Sequence, residues 1–414
     1  MLGIGHFNVR GRTGVFRVTE NLAYQLSNRE DCELYFSSIY SLRVLALTMA
    51  YLQYNKKFIH KTPLITTGST TFDTISKKLH TIYFKSTLKH GSHIIQFASS
   101  SAFKIINFFF PPIKNKKLAH CNVFHSPFFP LPPKKRKRKF PTRFLTIHDL
   151  IPIIFPHFFP LRETMVLKNT LDSLNGDDWI FTVSQSSKND LCNYFSIEPE
   201  RVFVTYPAAS DNFSPCLNQE YIEMVKAKYN IPEGPYFLSL GTLEPRKNMV
   251  HTIECFASLI EQEHLYDVNL VLVGPKGWQY DNIFKTIDLH PAIQNRIILT
   301  GYVDDEELSA LYTPAIAFLY PSLYEGFGLP PLEAMQCGAP VIVSNTSSLP
   351  EVVGKAGLFV SPKDKDALCQ SMLNLYNKPG LRESLKSRSL EQAGKFSWFR
   401  CVNETIAAYK QAIY

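Results

Sequence analysis

The sequence predicts an α/β protein of two domains whose parallel sheets face a central cleft. Three observations predict it. The chain has 414 residues, too many for one ordinary core and enough for two domains of roughly 200 residues each. From Pro235 onward, short apolar runs that end at a turn residue alternate with segments of helical spacing. The first half repeats this alternation less regularly. Strands separated by helices of that length build a parallel sheet with helices on both faces, and such sheets bind ligands beyond the carboxyl ends of their strands.

In chain order, Met1–Phe7 leaves room for only a very short first strand. Residues 55–120 cluster Lys, Ser, Thr and Phe and read equally as helix, loop or flap. Strands are expected at Asn122–His125, Arg143–His148, Asp178–Val183 and Val202–Val204. A hinge is expected across Asn212–Glu233, where Asn, Ser and Pro loosen the chain, so the domains are drawn at 1–211 and 212–397. Beyond it the strand runs are Tyr236–Leu240, Asn269–Val273, Arg296–Thr300, Ala315–Tyr320, Pro340–Ser344 and Gly357–Val360. Met249–Ile260, Glu306–Tyr312 and Asp366–Leu375 carry helical spacing between or after them.

The composition, 45% hydrophobic and 19% charged, is that of a globular protein. No apolar run reaches the ~20 residues of a membrane span; the most apolar stretch, Phe144–Leu161, is broken by His148, Asp149, His157 and prolines. The N-terminus lacks the features of a secretory signal, which predicts a cytoplasmic location. Eight scattered cysteines without a C-x-x-C pair predict reduced, mostly buried thiols and argue against a zinc site. The net charge of +8 divides unevenly: residues 1–210 carry 27 basic and 13 acidic side chains, and 211–414 carry 17 and 23. Residues 51–140 hold 17 Lys/Arg against the single acid Asp73, including the run Lys134–Lys139. Such a surface favours anions: phospholipid headgroups, a pyrophosphate-linked acceptor or nucleic acid.

The most informative segment is Tyr320-Pro-Ser-Leu-Tyr-Glu325-Gly-Phe-Gly-Leu-Pro-Pro-Leu-Glu333-Ala-Met-Gln-Cys-Gly338. A strand ends at Tyr320, a glycine-containing loop follows, Pro330 and Pro331 open a helix and Gly338 suits its exit. The helix then aims free N–H groups and its positive dipole end at the space above the sheet, where a phosphate binds. Gly326 and Gly328 let the backbone approach a ligand. Glu325 falls in the loop and Glu333 in the first helical turn, so one carboxylate can face a sugar and the other a ribose.

This segment resembles the E-x7-E signature of family 4 glycosyltransferases, retaining enzymes of the GT-B architecture with two Rossmann-like domains. The resemblance extends over most of the chain. Ser239-Leu-Gly241-Thr-Leu-Glu-Pro-Arg246-Lys247-Asn248 resembles the family's first C-domain strand and its Arg-Lys phosphate element. Leu270–Gly274, Leu299–Val303 and Gly338–Ser344 resemble further strand ends; Arg12–Arg17 resembles the glycine loop and Thr146–Pro152 the cleft histidine loop. The resemblance implies that Arg246 and Lys247 neutralise a donor diphosphate, with Gly14 near the phosphates. It implies that the amides of Phe327, Gly328 and Leu329, after Gly326, hold sugar and distal phosphate. It further implies that Glu333 accepts from the ribose, Val303 lies near the base, Glu325 binds the transferred sugar, and His148 stands opposite, through its ring or its carbonyl. The resemblance also implies that residues 1–211 bind the acceptor and 212–397 the nucleotide sugar, with helix Trp398–Ile413 crossing back onto the N-terminal domain.

The function so implied is a metal-independent, retaining hexosyltransferase with no cofactor, moving a sugar from a nucleotide-sugar donor to a glycan or lipid-linked acceptor. Mannose from GDP-mannose is favoured on the Arg-Thr-Gly, His-Asp-Leu-Ile-Pro and Gly-Tyr-Val-Asp pattern. A UDP-sugar-dependent glucosyl- or N-acetylglucosaminyltransferase is the alternative, and a phosphorylase or epimerase on the same fold stays open. Another class is a non-catalytic protein binding nucleic acid or anionic lipid through residues 51–140. The run Lys134–Lys139 lacks interleaved aromatics and sits between two expected strands. That favours an exposed loop touching an anionic membrane over a nucleic-acid patch. Asp364-Lys-Asp366 is read as a helix cap rather than a metal motif.

Overall fold

The computed structural model describes residues 14–36, 58, 121–133 and 141–414. The expectations for Met1–Phe7, for 55–120 apart from Phe58, and for Lys134–Lys139 lie outside the described residues. The N-terminal sheet contains β1 (Val123–Ser126), β2 (Thr142–Ile147), β3 (Trp179–Thr182) and β4 (Val202–Val204), paired in that order and parallel throughout. Aromatic and β-branched residues dominate these runs, as a sheet covered on both faces requires. Because side chains alternate across a strand, Phe144 and Phe181 face one core with Leu22 and Leu26. Their neighbours Leu145 and Ile180 face a second core with Leu171 and Leu191.

The C-terminal sheet contains β5 (Tyr236–Leu240), β6 (Asn269–Val273), β7 (Ile297–Gly301), β8 (Ala317–Tyr320), β9 (Val341–Ser344) and β10 (Gly357–Val360). All neighbours are parallel and the spatial order is β10-β9-β8-β5-β6-β7. The chain therefore leaves β5 in one direction and returns to its other side at β8, which makes the β5/β8 boundary the topological switch point of the sheet. β5 and β8 are wholly apolar except for Ser239, whose hydroxyl donates to the Leu319 carbonyl at 2.8 Å. Helices Met249–Glu263 and Lys365–Asn377 cover one face, and Leu329–Gln336 the other. Asp364 caps the second of these by accepting from the Ala367 N–H at 3.0 Å.

Two expectations need correction. Asn212–Glu233 is not loose throughout, because Gln219–Lys228 is a helix, capped by Asn218, that buries Ile222 and Val225. All eight cysteines are free, but only Cys255, Cys337 and Cys401 are buried and the others are half-buried. The last helix, Trp398–Ile413, packs Val402, Ile406 and Tyr409 against Phe144, Phe181 and the helix Gly14–Ser27 of the N-terminal side. His125 joins it there, hydrogen-bonded to Tyr409 at 2.5 Å and to Thr146 at 2.7 Å. No described helix is long and apolar enough to cross a membrane.

Candidate active site

The carboxyl ends of both sheets open on one cavity of about 730 Å³. Its floor is made by the loops that leave the switch-point strands. The loop after β5 carries Glu244, Arg246 and Lys247; the loop after β8 carries Glu325. Lys247 Nζ lies 2.6 Å from Glu325 Oε1, and Arg246 Nη1 lies 2.7 Å from Glu325 Oε2. Arg246 Nη2 also reaches Glu244 Oε1 at 2.8 Å, and Lys247 donates to the Tyr320 hydroxyl at 2.5 Å. Burial pushes the Glu325 carboxyl up, but the two cations outweigh it and hold it at about 2. Burial lowers Lys247, with Arg246 adding repulsion, while for Arg246 the carboxylates win over burial and raise it. Two cations and two carboxylates thus neutralise one another in a buried cluster, as buried charges must.

Above this floor, the glycine loop is tied down through its carbonyls. Ser348 Oγ donates to the Phe327 carbonyl at 2.5 Å and lies 3.0 Å from that of Glu325, and Ser184 Oγ donates to the Gly326 carbonyl at 2.6 Å. None of these bonds uses the amides of Phe327, of the N-cap Gly328 or of Leu329, which opens helix Leu329–Gln336. Gly328 has a φ of 121°, and a Cβ on Gly326 would lie 2.9 Å from the His148 carbonyl and 2.8 Å from Asp149 Cβ. Only glycine allows the two loops to meet this closely.

The opposite wall comes from the N-terminal sheet. His148 follows β2 and lines the cavity; its ring Nε2 donates to the Pro127 carbonyl at 2.8 Å, which leaves Nδ1 as the acceptor of the neutral ring. Burial lowers its pKa to about 4, so the ring is neutral. The His148 carbonyl, one of its two expected contacts, already accepts from Ser187 Oγ at 2.9 Å. Burial raises the neighbouring Asp149 carboxyl, against the pull of Arg246. Gly14 begins its helix at the cavity wall, 3.7 Å in Cβ terms from a Leu329 methyl, and Val303 lines the same cavity.

Glu333, which the resemblance assigns to the ribose, is paired in this structure. It is fully buried behind Arg17, whose Nη1 donates to Glu333 Oε1 at 2.6 Å, and it lines a small adjoining pocket rather than the main cavity. Arg17 Nη2 also pairs with Asp305, and Arg17 Nε is buried with no hydrogen-bond partner among the described residues. Burial raises Glu333, with Arg17 pulling it back. Arg17 and Asp305 carried no assigned role in the sequence; the only signal was that Gly14 and Arg17, three apart, share one helix face. Glu351 was also missed. Its carboxylate accepts from the amides of Gln185 at 2.9 Å and Ser186 at 3.0 Å, capping a helix of the N-terminal side from the C-terminal side.

The family profile described as "Glycosyl transferases group 1" matches residues 222–392. Over 289 residues the chain is 36% identical to the O-antigen chain mannosyltransferase B of Escherichia coli, covering 70% of this chain and 74% of that protein. It is 33% identical over 276 residues to the serotype-specific mannosyltransferase WbdA of Escherichia coli, covering 64% of this chain but only 33% of WbdA. The fold is similar to that of a glycosyltransferase from Rickettsia africae, with a TM-score of 0.65 at 18% identity, covering 100% of this chain and 98% of that one. With two parallel sheets opening on a shared cavity, the architecture is GT-B. The chain therefore belongs to the group 1 glycosyl transferases, within glycosyltransferase family 4, and is a glycosyltransferase.

Proposed function

We propose that this glycosyltransferase is a retaining, metal-independent hexosyltransferase that moves mannose from GDP-mannose to a growing glycan. The observation that carries this reading is the convergence of Arg246, Lys247 and Glu325 from the two switch-point loops beneath the amides of Phe327, Gly328 and Leu329. Charge-assisted bonds from Arg246 and Lys247 suit a diphosphate, and they stabilise it most as it leaves with the electron pair of the broken sugar C1–O bond. The acceptor hydroxyl attacks C1 from the same face and gives its proton to a phosphate oxygen, so configuration is retained. Glu325, held ionised at about 2, orients the transferred sugar, and neutral His148 accepts from it through Nδ1. Glu333 serves the ribose once Arg17 yields it. The mannosyl preference rests on the two named relatives. The basic N-terminal half supports work at the cytoplasmic face of an anionic membrane.

The test is donor binding and hydrolysis across GDP- and UDP-sugars, with and without a chelator, comparing wild type with Lys247→Ala. Selective turnover of GDP-mannose that survives chelation and is lost in the variant supports the reading. Turnover of a UDP-sugar alone replaces the donor, and loss on chelation removes metal independence.

A further inference from the structure

Two serines at one helix N-terminus hold the loops that meet across the cleft. Helix Gln185–Phe195 has Ser184 as its N-cap, and Ser184 Oγ accepts from the Ser187 N–H at 3.0 Å. The Ser184 hydroxyl then donates to the other half of the chain, to the Gly326 carbonyl at 2.6 Å, while the Ser187 hydroxyl donates to the His148 carbonyl at 2.9 Å. Both serines are buried, where a hydrogen bond is stronger than in water. From the C-terminal half, Ser348 Oγ donates to the Phe327 carbonyl at 2.5 Å, and Ser347 Oγ accepts from the Glu325 N–H at 2.9 Å. Ser348 precedes helix Leu349–Val353 but makes no side-chain capping bond there, so its hydroxyl serves the glycine loop.

Each of these bonds also orients the far side of a peptide. In a planar trans peptide the C=O and the following N–H point in opposite directions. A Gly326 carbonyl drawn to Ser184 therefore turns the Phe327 N–H away from that serine. A Phe327 carbonyl drawn to Ser348 likewise turns the Gly328 N–H away from Ser348. Phe327 and Gly328 both line the cavity, and neither serine does. The loop needs this restraint, because a Cβ at position 326 would lie 2.9 Å from the His148 carbonyl. The glycine that permits this close approach also leaves its adjoining peptides free to flip, and the hydroxyls select one orientation.

Resting on the donor site proposed above, we infer that Ser184 and Ser348 are positioning residues for sugar transfer. By pinning the Gly326 and Phe327 carbonyls, they aim the Phe327 and Gly328 amides at the distal phosphate and the sugar of the donor. Ser184 belongs to the N-terminal half, so part of this aim is set from across the cleft. The amide cradle is complete only when the loops of the two sheets meet.

The test combines calorimetric titration of GDP, GMP, UDP and UMP with steady-state donor hydrolysis in wild type, Ser184→Ala, Ser184→Thr and Ser348→Ala. The monophosphates read the nucleoside and the first phosphate, and the diphosphates add the distal one. In both alanine variants the preference for diphosphate over monophosphate and the kcat should each fall about tenfold, with the monophosphate Kd within about twofold of wild type. Ser184→Thr keeps the hydroxyl and the cap and should restore both quantities. Ser348→Ala removes no cap and decides the question alone if Ser184→Ala does not fold. The inference is overturned if the alanine variants keep the wild-type preference and kcat, or if they weaken monophosphates and diphosphates alike, as a general loss of structure would. In either case donor hydrolysis by wild type leaves the transferase reading standing. A wild type that binds none of the four nucleotides and hydrolyses no donor brings down that reading and the inference with it.

Discussion

The wall of the cavity built on the C-terminal sheet carries its charges in neutralising pairs, whereas the wall built on the N-terminal sheet carries rings, a neutral histidine and an acid raised by burial. On the function proposed above, the difference matches what each wall would face. Charge that develops on a leaving diphosphate needs cations already fixed in place, and Glu325 and Glu244 hold them there before any donor arrives. A sugar needs a shaped, largely uncharged surface. Damage to the two walls should therefore show different signatures, in turnover on one side and in acceptor use or acid tolerance on the other.

The largest effect expected is from Lys247→Ala, which removes a preorganised cation and should reduce kcat by about 10²–10³-fold. A loss below about tenfold in steady-state donor turnover would show that the paired wall does not carry the leaving group. Next is Arg17→Ala, which leaves Glu333 and Asp305 without their shared cation. Breaking a partly buried pair of this kind should cost about 3 kcal/mol, read by denaturant unfolding. An unchanged unfolding midpoint would mean that water takes over the role of Arg17.

The two walls should also part company in acid. Burial holds His148 at about 4 and His125 at about 3, against an ordinary value of 6.5. Between pH 6.5 and those values the unfolded chain binds protons that the folded chain refuses, so stability falls as pH falls, by on the order of 2–3 kcal/mol per histidine near pH 4. Glu325 works in a lower window: its depressed pKa stabilises the fold above about 4.5 and that support is lost only as pH falls toward about 2. Hydrogen exchange at pH 5 against pH 7 should show β1–β3 losing protection before β5 and β8. The reverse order would falsify the assignment of the acid-sensitive groups. The smallest effect expected is from Glu351→Ala, which removes the acceptor of the first two amides of helix Gln185–Phe195 while its N-cap Ser184 stays, and should lower stability by about 1 kcal/mol in a thermal melt.

Where local pattern and burial agree, the sequence was legible. β5, β6 and β10 fall where their apolar runs predict, and the other strands of that sheet shift by one or two residues, because strands covered on both faces must be apolar along their length. Pro330, Pro331 and Gly338 mark the ends of helix Leu329–Gln336 as expected; Gly338 takes a φ of 76° at its exit. Helix Gln219–Lys228 was hidden because the Asn, Ser and Pro around it outweighed a short polar sequence whose buried apolar face shows only Ile222 and Val225. The placement of Glu333 was equally hidden, since its partner Arg17 lies 316 residues away.

By itself, the sequence determined the alternation of strand and helix, the glycine loop between strand and helix, and the chemical inventory of the site, because each depends on neighbours within a few residues. Tertiary structure decided which of those groups meet: that Lys247 and Arg246 close on Glu325, that Arg17 covers Glu333, that Ser187 takes the His148 carbonyl and that Trp278 stands beside Phe159. The physical reason is that charge pairing and ring packing depend on distance in space, and strand order β8-β5 brings together loops some 80 residues apart that no local pattern links.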